Sequence, residues 1–253
     1  MTPHRNAPIL ITGSAGRLGR AAVSGLVQAG WNVRGFDRVP TPGTKDFVVG
    51  DLTDAGALAK AMSGVQMLIH LGATPDDDDF MNSLLPANLV GLHHTMEAAR
   101  AAGVQRLLLA SSGQMNWWQQ MSGPWPIHPD DPISPKYWYA VTKAAAEAAG
   151  RSFAHQFGMT VLVLRLGWCP RTPEQVAEIT ALPWAKDVYL SPGDAARFFA
   201  RAAEAELEPG CKTIFVSSRP VQKRMFDLGP TKQWLGWEPQ EQWPAGAEED
   251  LNS

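Results

Sequence analysis

Cysteine is scarce. The 253-residue chain holds two, Cys169 and Cys211. Neither a CxxC pair nor a Cys/His ligand spacing is present, so no disulfide framework and no zinc or other metal site is indicated. A reduced, cytoplasmic compartment fits this usage. Long hydrophobic runs are also missing. No stretch approaches the ~18 apolar residues of a membrane span. The apolar ILIT that follows MTPHRNAP is too short for a signal core, so a soluble protein with no membrane partner is expected. There is no basic excess either. Lys plus Arg total 22 against 25 Asp plus Glu, a net charge of −3, which argues against nucleic acid as a main partner. No internal repeat appears, and no linker is rich enough to separate independent domains.

What remains is an ordinary globular composition, 45% hydrophobic, suited to one large α/β domain or a domain with a small appended lobe. Ten tryptophans are many for this length. Most fall in the loop-rich second half, which points to an aromatic pocket or an extra packing surface. Short apolar segments alternate with helical ones. Strands are expected at Ile9–Thr12, Asn32–Phe36, Asp46–Val49, Val65–Leu71, Arg106–Ala110 and Thr160–Leu166. Helices are expected over Arg17–Ala29, Asp54–Met62, Asn88–Ala102 with Gly103 as its cap, Tyr139–Phe157 and a segment near Gly193–Ala205. Near-continuous apolar strands between helices imply a parallel sheet covered on both faces, a doubly wound (Rossmann) α/β fold. After residue 167 the pattern loosens into prolines and tryptophans. The reading is therefore a dinucleotide-binding core over 1–167 and a substrate-covering region over 168–253 that is not an independent domain. The acidic run Asp76–Asp79 reads as a solvated loop.

Residues 9–19, ILITGSAGRLG, place Gly13, Gly16 and Gly19 between an apolar strand and a helix. Glycine permits the tight turn, lets backbone approach a pyrophosphate and allows close helix–strand packing. Helix N-terminal N–H groups would then face the phosphates. Asp37 closes the second strand, where an acid can accept both ribose hydroxyls and repel a 2′-phosphate, favouring NAD. Arg17 or Arg38 could instead meet that phosphate, so NADP stays open. Asp51-Leu52 is placed to reach an adenine ring, or Asp51 is a plain helix N-cap.

Residues 136–147, KYWYAVTKAAAE, set Tyr139 four positions before Lys143, on one helix face. Together with TGSAGRLG (12–19), Asp37, DL (51–52), HLGA (70–73), Asn88, SS (111–112) and the late KQWLGWEPQ (232–240), the chain resembles the extended short-chain dehydrogenase/reductases, in their NAD-dependent epimerase/dehydratase family. The resemblance implies that Tyr139 is the general acid/base, that Lys143 holds the nicotinamide ribose and tunes Tyr139, and that Ser112, more than Ser111, hydrogen-bonds the reacting oxygen. It also places Gly13, Gly16, Arg17, Leu18, Gly19, Asp37, Asp51, Leu52, Leu71, Gly72, Ala73, Asn88 and Gly167 around the cofactor. A free phenol titrates near 10, and two cations in a dry site would lower that by about 3 units. Tyr137 lacks a lysine four residues on and reads as packing or pocket wall.

Within the family the look is nearest to the uronate dehydrogenase group, through HLGA, EAAR (97–100), ASS and RLGWC. Hence a sugar or sugar acid, possibly a uronate, is the expected small-molecule substrate. Departures fall where the substrate would sit. SSGQMNWW places Gly113 and Gln114 where that group is polar and directional. Trp168 replaces a serine and would narrow the pocket, and Arg171 is either the carboxylate clamp or a surface residue. His70 reads as a loop position near the cofactor. The apolar face Leu89, Leu92, Met96, Ala99, beside His93 and His94, is either a homodimer surface or intramolecular core. Cys169 has no paired histidine and does not read as a nucleophile. Three functions fit: an NAD-dependent dehydrogenase, an epimerase or dehydratase that retains its cofactor, and a non-catalytic NAD(P)-sensing protein.

Overall fold

The computed structural model describes residues 6–249 and 251. Seven strands form one sheet: β1 (Ile9–Thr12), β2 (Val33–Asp37), β3 (Asp46–Val49), β4 (Met67–His70), β5 (Arg106–Ser112), β6 (Thr160–Leu166) and β7 (Gly210–Val216). Their order is β3-β2-β1-β4-β5-β6-β7, and every neighbouring pair is parallel. The order reverses between β1 and β4, so a crevice opens at the carboxyl ends of those two strands. The expected doubly wound parallel sheet is what the chain forms.

The helices are α1 (Arg17–Gln28), α2 (Ala55–Ala61), α3 (Gly91–Ala101), α4 (Trp117–Ser122), α5 (Trp138–Phe157), α6 (Pro173–Ala181), α7 (Pro192–Glu204) and α8 (Gly229–Leu235). Because strand side chains alternate faces, β1 sends Ile9 and Ile11 to one core and Leu10 to the other. The first core packs Leu26 of α1 against Phe198 and Phe199 of α7. α1 and α7 touch closely at Gly25, where a Cβ would stand 2.1 Å from the Ala196 carbonyl oxygen. The second core takes Met96 of α3 and Ala146 and Ala154 of α5. Among the described residues no helix is long and apolar enough to cross a membrane.

Three details differ from the sequence reading, and one alternative that it left open is favoured. An unexpected strand, β7, comes from beyond residue 167, so that with the expected helix α7 that region completes the sheet and one of its covering layers. The helix expected from Asn88 is preceded by a wider π-helical stretch, Phe80–Val90, which contains Pro86. Proline has no N–H to give an α-helical ladder. The Asp76–Asp79 run is not merely solvated: Asp79 caps the stretch through the Asn82 N–H, and Asp77 accepts from the Tyr139 N–H. On α3, Leu92, Met96 and Ala99 are buried in the chain's own core, which favours the intramolecular alternative for that face.

Candidate functional site

A cleft of about 1310 Å³ runs along the carboxyl edge of the sheet. At one end lies the glycine loop. Gly13 has φ +70, and a Cβ there would meet Gly72 backbone at 2.7 Å; at Gly19 a Cβ would stand 2.1 Å from the Gly13 carbonyl oxygen. These two contacts let β1, β4 and α1 approach each other. Gly16 sits at the N-cap of α1, which has no side-chain cap and no acid in its first turn. The unpaired N–H groups of Arg17, Leu18 and Gly19 therefore border the cleft, an arrangement suited to a diphosphate. The side chain of Arg17 goes elsewhere. It is buried and donates to the carbonyl oxygens of Gly246 (2.6 Å) and Ala247 (3.1 Å). It thus ties α1 to the C-terminal segment and is not the arginine for a 2′-phosphate.

Asp37 ends β2 on the cleft wall. Its Oδ2 accepts from Ala15 N–H at 3.0 Å and its Oδ1 from Arg38 N–H at 2.7 Å, so the carboxylate braces the glycine loop in a fixed direction. Asp51 and Leu52 line the same wall. Asp51 accepts from the Thr53 N–H and hydroxyl, and these bonds hold its carboxyl below the usual range. The N-cap of α2 is Asp54 instead, so the plain-cap alternative for Asp51 falls. Leu71, Gly72 and Ala73 follow β4 along the cleft floor, and Gly167 follows β6. Asn88 is the exception among the expected cofactor residues. It is buried, its Oδ1 accepts from Thr74 N–H (2.7 Å), and its Nδ2 donates to the Thr74 carbonyl and the Thr142 hydroxyl (both 3.1 Å). It fastens the loop after β4 to α5 and is not on the cleft wall.

Ser112, Tyr139 and Lys143 come together at the middle of the cleft. Ser112 ends β5, and its hydroxyl is close enough to the phenol of Tyr139 to favour the phenolate and accepts from Gln114 N–H at 3.1 Å. Ser111, one residue earlier, turns its hydroxyl to Glu147 Oε1 at 2.6 Å, which separates the two serines. Lys143 donates to the Ala110 carbonyl at 3.3 Å, and its Nζ lies 5.6 Å from the Tyr139 ring centroid. The lowered phenol expected from the sequence is not found in the chain alone. Burial, and then Asp76, push Tyr139 up to about 12, against the opposing pull of Ser112. Burial brings Lys143 down to about 8. Low dielectric penalises the charged form of both groups.

Tryptophans build the far wall. Trp117, Trp168 and Trp184 line it, with Trp184 edge-on to Trp117 at 5.6 Å and 6.4 Å from Trp168. Tyr137 stands against Trp117 at 5.9 Å and is pocket wall. Gly113 and Gln114 border the same space. A Cβ at Gly113 would be 2.7 Å from the Phe226 ring, so the glycine there makes room for an aromatic wall. Arg171 also lines the cleft. It pairs with Asp76, so neither of its sequence alternatives describes it fully. His70 belongs to β4, not to a loop. It is buried, 2.7 Å from the Thr12 hydroxyl, and is absent from the wall. Cys169 is on the wall, but burial pushes its thiol up to about 11, far from a nucleophile's range.

Sequence reasoning missed a buried support beneath the site. Arg165 of β6 holds Glu147 through Nε (2.9 Å) and Nη2 (3.0 Å), and also reaches Asn116 and the Pro129 carbonyl. Glu147 lies one helical turn after Lys143, and that spacing inside YAVTKAAAE was the available signal.

The model of the NAD dependent epimerase/dehydratase family matches residues 9–168. The chain belongs to this family. Among its relatives, L-arabinose 1-dehydrogenase (NAD(P)(+)) of Haloferax volcanii is 30% identical over 93% of this chain and 97% of its own length. Uronate dehydrogenase of Agrobacterium fabrum is 32% identical over 66% of this chain and 62% of its own. Among solved structures, a mutant uronate dehydrogenase from Agrobacterium tumefaciens complexed with NAD superposes with a TM-score of 0.74. It is 26% identical, and the match covers 93% of this chain and 85% of that one.

Proposed function

We propose that the protein is an NAD-dependent dehydrogenase acting on a sugar hydroxyl. One observation carries this reading: a hydroxyl, a phenol and a lysine from β5 and α5 converge in the same cleft as an uncapped helix N-terminus. The family and the names of its sugar-oxidising relatives support it. NAD fits the residues present, because a Cβ would fill the cradle at Gly13 and Gly19 and Asp37 offers a braced carboxylate to the adenosine ribose. The α1 N–H groups would hold the diphosphate, Asp51 and Leu52 the adenine end, and Lys143 the nicotinamide ribose. When bound, the cofactor supplies the hydride acceptor and, in its oxidised form, a positive charge beside Tyr139.

In this reading Tyr139 takes the proton from the sugar hydroxyl and Ser112 orients that oxygen. In the chain alone burial and Asp76 keep the proton on Tyr139, so the phenol must first release that proton to solvent and reach the phenolate before it can take one from the sugar. Lys143, still close to its own titration range, lowers the cost of the phenolate once both groups carry charge. Residues 1–167 supply the cofactor wall and the proton-transfer group. Residues 168–253 supply the facing wall through Trp168, Arg171 and Trp184.

The test is reduced-cofactor formation with a panel of aldoses and uronic acids, for the wild type and Tyr139→Phe. Turnover is expected in the wild type, with a loss of about 10²-fold or more in the variant and NAD binding retained. Silence across the panel with NAD bound would end the dehydrogenase reading. Cofactor that survives purification without turnover of added NAD would indicate an epimerase instead.

A further inference from the structure

At the sugar end of the cleft an arginine already has an internal anion. Arg171, from the segment between β6 and α6, pairs through Nη2 with Asp76 Oδ2. Gln175 closes the group: its Nε2 donates to the same Oδ2 at 2.8 Å, and its Oε1 accepts from Arg171 N–H at 2.8 Å. Asp76 reaches this position from a backbone at φ 62, which no other non-glycine residue among the described ones adopts. Such a conformation costs energy and persists where the surroundings enforce it. The Tyr139 phenol feels both members of the pair, with opposite signs, so the pair is close to where chemistry would occur.

Carboxylates are numerous here. Asp77, Asp78 and Glu178 line the cleft with Asp76, and besides Arg171 the cations near Tyr139 and Trp117 are Lys143 and Lys136. Lys136 lies over the rings of Trp117 (4.8 Å) and Tyr137 (4.5 Å). A sugar carboxylate entering here would have to displace Asp76 or crowd beside several carboxylates, and like charges in one pocket repel. An uncharged sugar meets no such conflict. Asp76 Oδ1, outside the bonds to Arg171 and Gln175, can accept from a hydroxyl, and the indoles offer apolar faces to ring C–H groups.

We propose that Asp76 sets the substrate class of this site: by holding Arg171 internally it reserves the cleft for uncharged aldoses and turns away sugar acids. This rests on the dehydrogenase reading for turnover, while the binding preference is measurable without it. The experiment compares matched pairs, glucose with glucuronate and galactose with galacturonate, in the presence of NADH. Quenching of the wall tryptophans reports the Kd, and separate assays with NAD report kcat/KM.

The expected result is a neutral member bound at least about 10-fold more tightly than its acid. Asp76→Asn, a residue that tolerates the same backbone, shrinks or reverses that preference about 10-fold. Adding Arg171→Gln to Asp76→Asn removes the gained affinity for the acid, which a merely loosened fold would not do. Equal or tighter binding of the acid by the wild type overturns the proposal, as does an unchanged ratio in Asp76→Asn or no binding of either sugar. A neutral sugar that binds with the expected preference but yields no reduced cofactor supports Asp76's role and overturns the dehydrogenase reading alone.

Discussion

His70 and Tyr139 show how burial, aided by one neighbouring charge, redirects a titratable side chain. Desolvation, with the Lys143 charge second, brings His70 down to about 3 from 6.5. An unfolded chain takes up a proton as pH falls through 6.5, whereas the folded chain resists until about 3. The associated stability is therefore complete above 6.5 and is lost as pH falls toward 3. The loss approaches roughly 5 kcal/mol for the full shift. His70→Gln should unfold at a pH-dependent midpoint flatter than the wild type across this window; parallel denaturation curves for the two proteins would refute it. Tyr139 and Lys143 were legible in the sequence because their spacing is local. Their protonation was not, because it depends on Asp76 and on burial by segments far away in the chain.

The element with the most depending on it is α5. One face carries Lys143 toward the cleft and, a turn later, Glu147 into the sheet. Glu147 and Arg165 have side chains only 1% and 4% exposed. Glu147→Ala would leave a buried guanidinium without its partner, a cost of about 3–5 kcal/mol. The double change Glu147→Leu with Arg165→Met should recover most of that stability, because an apolar pair of similar volume escapes desolvation. Chemical denaturation of the three proteins decides it: a double variant no more stable than Glu147→Ala would show that the ion pair is not the source of the loss. Strands β1, β2 and β5 and helix α5 could be read from apolar runs and their caps. β7 could not, since GCKTIFV is apolar only at its end and its first residues are half-buried at the sheet edge. The π-helical stretch was likewise hidden, because its extra residue per turn leaves no period that simple counting finds.

At the scale of the whole chain, ligand and fold share one free energy. NAD at about 100 times its Kd should stabilise the protein by roughly 2.7 kcal/mol, a rise in Tm of about 5–10 °C for a chain of this size. NADP at equal concentration should raise it less, because Asp37 repels a 2′-phosphate; equal shifts would remove Asp37 as the discriminating group. The dinucleotide half of the cleft was readable because glycine loop, strand and acid follow one another in sequence. Of the sugar half, the resemblance pointed to Gly113, Gln114, Trp168 and Arg171, which do line the cleft, but not to Asp76 as the partner of Arg171 or to Phe226 against Gly113, because these meet only through long connections. One of those meetings ties two distant positions to a single volume. Phe226 is stacked on Phe215 at 4.3 Å and 7°, so its ring has nowhere to retreat from a side chain at 113. Placing serine or threonine at 113 alone would press its Cβ to 2.7 Å from that ring, so the two positions are sterically linked: a side chain at 113 calls for a smaller one at 226.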